Sequence, residues 1–302
     1  AMPAGMLHFT MLCFPLGVLS YANTFVAQYV GNGQLWRVGP VVWQAVRLGL
    51  IAAPLFLLAI PATPWIFQSA GHTGTLLELE TVYFQILAWG AGGTVVAAAL
   101  ATFYTGRGTT RVVMIVDTIS AMTNIVLDYF WIFGYAGFPA MGIEGAGWAT
   151  VVSQWIKVPI YMGLVMSPKN VALYRTRDWR FDASLLKRLC RFGAPSGVQM
   201  LVEVTAITLF IMLIGELGEE AMVATTLAFS VNSVAFMPML GLGIAISTLV
   251  GQQLGQDRPD MAARATWNAF RLAAVYLGIM SLVSVLAPDL FLLRHRSGRE
   301  AG

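Results

Sequence analysis

The sequence predicts an all-α, polytopic membrane protein of about eight transmembrane helices, and three observations carry that expectation. The 302 residues are 57% hydrophobic and 11% charged with a mean hydropathy of +0.71, whereas an average soluble domain carries roughly 25% charged residues. Charge-free runs cover 1–36, 48–77, 81–106 and 221–256, each longer than the ~20 residues a helix needs to cross ~30 Å of hydrocarbon. Finally, the phrase TFVAQYVG at 24–31 returns as TLVGQQLG at 248–255, an offset of 224 residues. The offset persists, with Trp43, Ala45, Arg47 and Leu48 falling on Trp267, Ala269, Arg271 and Leu272, and Pro64 and Phe67 on Pro288 and Phe291. Eight of the 25 positions from 24 to 48 are identical to their counterparts, so the chain contains two homologous halves running in the same direction. Such parallel repeats in an apolar chain place two similar bundles around a central cavity, an arrangement of transporters. A transmembrane barrel is excluded because nothing alternates over ~10 residues.

Breakers and charges place the spans near 6–30, 38–60, 79–105, 109–134, 143–166, 195–216, 221–250 and 262–288. The first stops at Gly31-Asn32-Gly33, the second at Pro61 and Pro64, and the third lies between Glu80 and Gly106-Arg107-Gly108. The fourth ends at Gly134, the fifth runs from Glu144 to Ser167-Pro168, and the sixth from Pro195 to Glu216. The seventh follows Glu220 and the eighth follows Arg264. Loops at 31–37, 106–111, 167–191 and 251–264 hold Arg37, Arg107, Arg111, Lys169 and eight further basic residues, and are expected to be cytoplasmic. The intervening loops carry Glu78, Glu80, Glu144, Glu216, Glu219 and Glu220 with no Lys or Arg. The tail bearing Arg294, His295, Arg296 and Arg299 runs against this alternation and is expected to depart from the natural fold.

The polar stretch 167–191 divides the chain into a first bundle at 1–166, a cytoplasmic linker at 167–191 and a partial second bundle at 192–302. Its run FDASLLKRLCRF reads as a short interfacial helix with Leu185, Leu186 and Leu189 against lipid and its basic residues toward headgroups. The net charge of +3 and pI near 9.0 come from loop residues beside apolar spans. With no zinc-binding or aromatic-basic motif beside them, they set orientation and point away from nucleic acid. Cys13 and Cys190 offer no disulfide framework. The opening Ala1-Met2-Pro3 lacks the charged region of a signal peptide, and a natural start further upstream stays open.

The phrases NTFVAQYVGNG and STLVGQQLGQD, the run NIVLDYFWIFG leading into GIEGAGWATVVSQ, and GAPSGVQMLVEVT together resemble the multidrug and toxin extrusion (MATE) family across nearly the whole chain. The resemblance implies a fold of twelve transmembrane helices in two six-helix lobes. It also implies export of organic cations or other amphipathic compounds in exchange for sodium ions or protons, with no cofactor beyond the coupling ion. Against that plan the chain would supply the second to ninth helices and lack the first and the tenth to twelfth.

A carboxylate in hydrocarbon costs at least ~2.5 kcal/mol, so intramembrane acids face a cavity or a partner. Asp117, Asn124 and Asp128 follow one another at spacings of seven and four on the fourth span and share a helical face. The resemblance implies that Asn124 and Asp128, with Thr150 of GWAT on the next span, belong to a cation-coupling network in the first lobe; a purely structural pairing near the outer surface stays open. It implies a second coupling carboxylate at Glu203 of LVEVT, suited to a proton or, given oxygen neighbours, to Na⁺; no other metal ligand set is evident. Asp117 and Lys157 lie at similar depths, about 12 and 15 Å at 1.5 Å per residue, and are expected to pair within the membrane. Arg47 and Arg271 are expected to snorkel toward the basic loops. The repeat equivalents Gln28 and Gln252 either line the cavity or tie helices together.

The function expected is secondary active multidrug efflux in the cell inner (plasma) membrane, with small organic substrates and membrane lipids as partners. A truncated, nonfunctional remnant and a lipid-linked precursor flippase remain alternatives, the latter favoured by a strongly cationic cavity. A membrane-embedded enzyme is disfavoured: there is no HExxH, Ser-His set or phosphate-binding glycine loop, and the histidines are His8, His72 and His295.

Overall fold

The computed structural model describes residues 2–69, 73–135, 137, 139–216 and 218–286, and among them the chain is helical with no strand. The helices are α1 (Met2–Gly31), α2 (Val38–Leu58), α3 (Thr63–Ser69), α4 (Gly74–Thr105), α5 (Thr110–Phe133), α6 (Ile143–Val165), α7 (Pro168–Tyr174), α8 (Ala183–Glu216), α9 (Glu219–Gly255) and α10 (Pro259–Leu286). Among the described residues seven spans are long and apolar enough to cross a bilayer, or eight when α6 and α7, which meet at a 69° bend, count as one. This is the all-α polytopic architecture the sequence predicts. The repeat positions Pro288 and Phe291, the basic tail and His72 lie outside the described residues.

Three boundaries differ from the sequence expectation. Helix α4 starts at Gly74, so Glu78 and Glu80 lie in its first turns instead of a loop, and Glu80 is buried. Leucines at 76, 77 and 79 favour helix, and no proline interrupts before Gly106. Helix α9 continues through Gly251 and Gln252 to Gly255, because the first strong breaker is Pro259 beyond the Gln256-Asp257 turn. The interfacial helix is not separate: Asp182 caps α8 ahead of Ala183, and the helix runs unbroken through Pro195. Leu185 and Leu189, one turn apart, are 7% and 1% exposed and belong to the protein core, whereas the expectation set them against lipid.

The first half packs around α4, which is enclosed by α1, α2 and α6. Phe84, Ala88, Ala91, Val95, Ala99, Leu100 and Phe103 are buried along it. A Cβ on Gly93 would stand 3.0 Å from the Trp155 ring, and the Trp155 indole N–H donates to the Trp89 carbonyl at 2.8 Å. Between apolar helices in lipid such close van der Waals packing is the main attraction, which is why small residues line the contact.

Helix α1 joins the halves, packing on α4 and α2 on one side and on α8 and α9 on the other. Gly17 meets the backbone of Gly197, and Gly193 meets the carbonyl of Val18, leaving no room for a Cβ at any of the three. Asn23 Nδ2 donates to Thr248 Oγ1 at 3.0 Å across the same interface.

The basic loops fold onto the bundle through specific contacts. The Arg107 guanidinium lies over Phe103 at 4.1 Å, Tyr174 at 4.6 Å and Tyr104 at 5.1 Å, fastening α7 to the end of α4. On α2, Trp43 Nε1 donates to the Thr176 carbonyl at 2.7 Å and Gln44 Nε2 to the Arg180 carbonyl at 3.0 Å. Arg47 donates to the carbonyls of Arg180, at 2.9 Å, and Trp179. Arg47 is therefore a clamp on the linker backbone, where snorkelling alone was expected.

Candidate functional site

Helix α5 is held to α6 by Ser120, whose hydroxyl donates to the Ser153 carbonyl at 2.6 Å. Ser120 and Val116 are the buried positions of α5, and Asn124 and Asp128 follow one and two turns further on, both half-buried. Asn124 Nδ2 and Asp128 Oδ1 are shielded from solvent without a hydrogen-bond partner. Polar atoms in that condition are costly and mark a place that a ligand, ion or water would satisfy.

Tyr83 of α4 lies within electrostatic reach of Asp128. It also lines a cavity of about 340 Å³ between α1, α4 and α6, together with His8, Thr94, Thr150 and Gln154. The Thr150 hydroxyl donates to the Ala146 carbonyl of its own helix at 3.0 Å, so its oxygen retains acceptor capacity. The structure thus brings Thr150 and Tyr83 to one cavity, which Asp128 does not line. Asp117 lies apart from this group: its Oδ1 is 3.0 Å from Lys157 Nζ, and its side chain is 52% exposed against 19% for the lysine.

Sequence reasoning missed His8 and Tyr83. His8 sits edge-on to Phe84, with Nε2 unpartnered and shielded. Its signal was a lone histidine within a 36-residue charge-free run. Tyr83 had no signal, since an aromatic in an apolar span is ordinary core.

In the second half, Glu203 is exposed on α8, and its Oε1 accepts from Gln199 Nε2 at 2.8 Å. Among the described residues no group of three or more His, Cys, Asp or Glu stands close enough to hold a metal ion. Gln252 Nε2 donates to the Gly106 carbonyl at 3.2 Å and ties α9 to the end of α4. The backbone carbonyl of its repeat equivalent Gln28 abuts Gly255. Of the two roles open in sequence, helix tying is the one the geometry of Gln252 supports.

The family model MatE matches residues 4–130 and 195–298, most of both halves. The chain belongs to the MatE family. Its relatives include the probable multidrug resistance protein NorM of Mesorhizobium japonicum, 29% identical over 292 residues, which cover 95% of this chain and 62% of the relative. The multidrug resistance protein MdtK of Yersinia pestis is 24% identical over 282 residues, covering 91% of this chain and 61% of the relative. The MatE chain thus spans less than two thirds of these relatives. Among solved structures, an outward-facing conformation of a multidrug resistance MATE family transporter of the MOP superfamily superposes with a TM-score of 0.86 at 22% identity, over 99% of this chain and 67% of that one. A MOP superfamily transporter from Pyrococcus furiosus gives 0.83 at 22% identity, over 96% and 64%. At these identities the likeness shows the fold, and the fold is that of a multi-pass MATE transporter.

Proposed function

We propose that this chain serves secondary active multidrug efflux in the inner (plasma) membrane, its basic loops facing the cytoplasm. A cation, sodium or proton, moves inward down its gradient while a lipophilic organic cation moves out. The observation that carries this reading is Asp128: a carboxylate oxygen shielded from solvent and without a hydrogen-bond partner in an apolar helical bundle. A carboxylate costs at least ~2.5 kcal/mol in hydrocarbon, and a bound cation or proton offsets that cost directly. The names of the relatives, NorM and MdtK multidrug resistance proteins, support the substrate class.

Asp128 and Asn124 are the cation-holding pair, with Thr150 adding an oxygen from the cavity wall. Glu203 is the second coupling carboxylate, with Gln199 orienting it; loading either site changes the charge on the helix that carries it and thereby the packing that is favoured. The test is efflux of a fluorescent organic cation from reconstituted vesicles under separate sodium and pH gradients. Asp128→Asn and Glu203→Gln are each expected to lower gradient-driven efflux at least about tenfold. Unchanged efflux in both variants removes the coupling assignments, and efflux from the unsubstituted protein indifferent to both gradients removes antiport itself.

A further inference from the structure

Two rows of polar side chains run along the seam between α5 and α6. On α5, Asp128, Asn124, Ser120 and Asp117 follow one another at spacings of four, four and three; on α6, Thr150, Ser153, Lys157 and Tyr161 follow at three, four and four. Each row is one stripe of its helix. The helices are antiparallel, and two contacts fix their register: the Ser120 hydroxyl on the Ser153 carbonyl, and Asp117 on Lys157. The same register sets Asn124 level with Thr150. The seam therefore carries a polar group at every turn from Asp128 to Asp117, a distance of about 16 Å at 1.5 Å per residue. Helices in lipid adhere without charged groups, and ionisable side chains within a span mark ion and proton routes.

The cytoplasmic end of the α6 row holds a further unsatisfied group. Tyr161, one turn beyond Lys157, is 1% exposed, and its hydroxyl has no hydrogen-bond partner. It lies within electrostatic reach of Asp117, and its ring is 6.2 Å from that of Tyr104. A buried hydroxyl in that condition calls for a partner. Lys157 stands one turn away on the same face, and an ammonium has three N–H groups to share between Asp117 and the Tyr161 oxygen. Among the described residues, the other ionisable groups facing the seam are Tyr104 of α4, with the Arg107 guanidinium over its ring at 5.1 Å, and Tyr83 of α4 at the Asp128 end.

We propose that the α5–α6 seam is the route by which a coupling proton passes from Asp128 toward the cytoplasm, with Asp117 as its inner acceptor and Lys157 switching between Asp117 and Tyr161. The proposal rests on the reading of Asp128 as a coupling carboxylate and narrows the ion to a proton. Asp128 in its acid form gives up the proton and is left a carboxylate. The proton crosses the turn-to-turn gaps over the Thr150, Ser153 and Ser120 hydroxyls and bridging water. Asp117 takes it on a carboxylate oxygen and becomes a neutral acid. Lys157, charged throughout, then turns its N–H groups to the Tyr161 oxygen. Asp117, whose side chain is half exposed, releases the proton on the cytoplasmic side and pairs with Lys157 again. The ammonium within the seam repels a metal cation, whereas a proton travels along hydrogen bonds.

The test pairs two measurements on the purified chain. Proton release on adding tetraphenylphosphonium in lightly buffered detergent reports the loading of Asp128. Proton movement exchanged for tetraphenylphosphonium across pyranine-loaded vesicles, under separate pH and sodium gradients, reports the route. Asp128→Asn is expected to abolish both. Asp117→Asn with Lys157→Met strands no charge, so it is expected to keep the release and lower pH-driven exchange at least about tenfold. Asp117→Glu restores most of that exchange, and Tyr161→Phe, which keeps the ring, lowers it severalfold. Exchange unchanged in the double variant while Asp128→Asn abolishes it overturns the route and leaves Asp128 as the coupling carboxylate, as does exchange driven by sodium and indifferent to pH. Release lost in the double variant makes Asp117 part of the loading site and also overturns the route. Release and exchange both unaffected by Asp128→Asn remove the underlying reading and the route with it.

Discussion

Gly31 packs against the backbone carbonyl of Gln252, and its repeat counterpart Gly255 packs in the same way against the carbonyl of Gln28. The partner of each glycine is the 224-residue counterpart of the other glycine's partner. This reciprocity is the mark of a local two-fold relation between the halves. A side chain at either position collides with backbone, which cannot rotate away, so α1 and α9 must part. Gly31→Val and Gly255→Val are each expected to cost about 1–3 kcal/mol, read as a lowered unfolding temperature in detergent. Retained stability in both would mean the helices do not approach so closely.

Gly163 gives the opposite expectation. It lies within α6 with open space where a Cβ would stand. Gly163→Ala restricts the unfolded chain and introduces no clash, so a gain of about 0.5–1 kcal/mol is expected. A loss of stability in the same thermal assay would show that another segment occupies that space.

The linker clamp rests on Trp43. Replacing it by Phe removes the donor to the carbonyl of Thr176, a residue with no exposed surface, while keeping an aromatic ring against Trp179. Leaving a buried carbonyl without its partner costs about 1–3 kcal/mol. Trp43→Phe is therefore expected to lower the unfolding temperature and to speed tryptic cleavage at Arg177 and Arg180. Cleavage at the unsubstituted rate would show that the linker is held elsewhere.

How much of this was legible in the sequence follows from the kind of interaction involved. Helix existence was readable because burial in lipid forbids any other spanning backbone here, and the repeat was readable because eight identities survive between 24 and 48. Asp117, Asn124 and Asp128 announced themselves as charges and amides where hydrocarbon penalises them. The clamp was not legible, since it joins Trp43 to Thr176 across more than a hundred residues through a backbone carbonyl that has no sequence identity. The fate of Leu185 and Leu189 was equally hidden: an apolar stripe looks the same whether it faces lipid or α1, and only packing decides. His8 and Tyr83 reach the cavity through the crossing of α1 with α4, a relation between helices that no single helix encodes.

The pair Asp117–Lys157 separates electrostatic stabilisation from mere proximity. Lys157 is the more buried partner, so Asp117→Asn strands a cation in an apolar setting, whereas Asp117→Asn with Lys157→Met removes both charges. The single variant is expected to lose about 1–3 kcal/mol and the double variant to recover most of it. Equal losses in the two would place the cost in packing, with no contribution from the ion pair.

Asp182 supplies the pH-dependent prediction. Its carboxylate accepts from the Ser184 hydroxyl at 2.7 Å and from the Leu185 N–H at 3.0 Å, and these bonds hold it below the usual carboxylate range. A pKa lowered on folding means that its stabilisation is complete above the ordinary aspartate value of ~3.9 and is lost as pH falls through the lowered folded value. Asp182→Ala removes the cap and is expected to cost about 1 kcal/mol near neutral pH. Asp182→Asn keeps a capping oxygen without the titration, so it should match the parent near pH 6 and fall less steeply toward about pH 3. Unfolding temperatures across that interval decide the point: identical slopes for the parent and Asp182→Asn would show that another carboxylate carries the acid sensitivity.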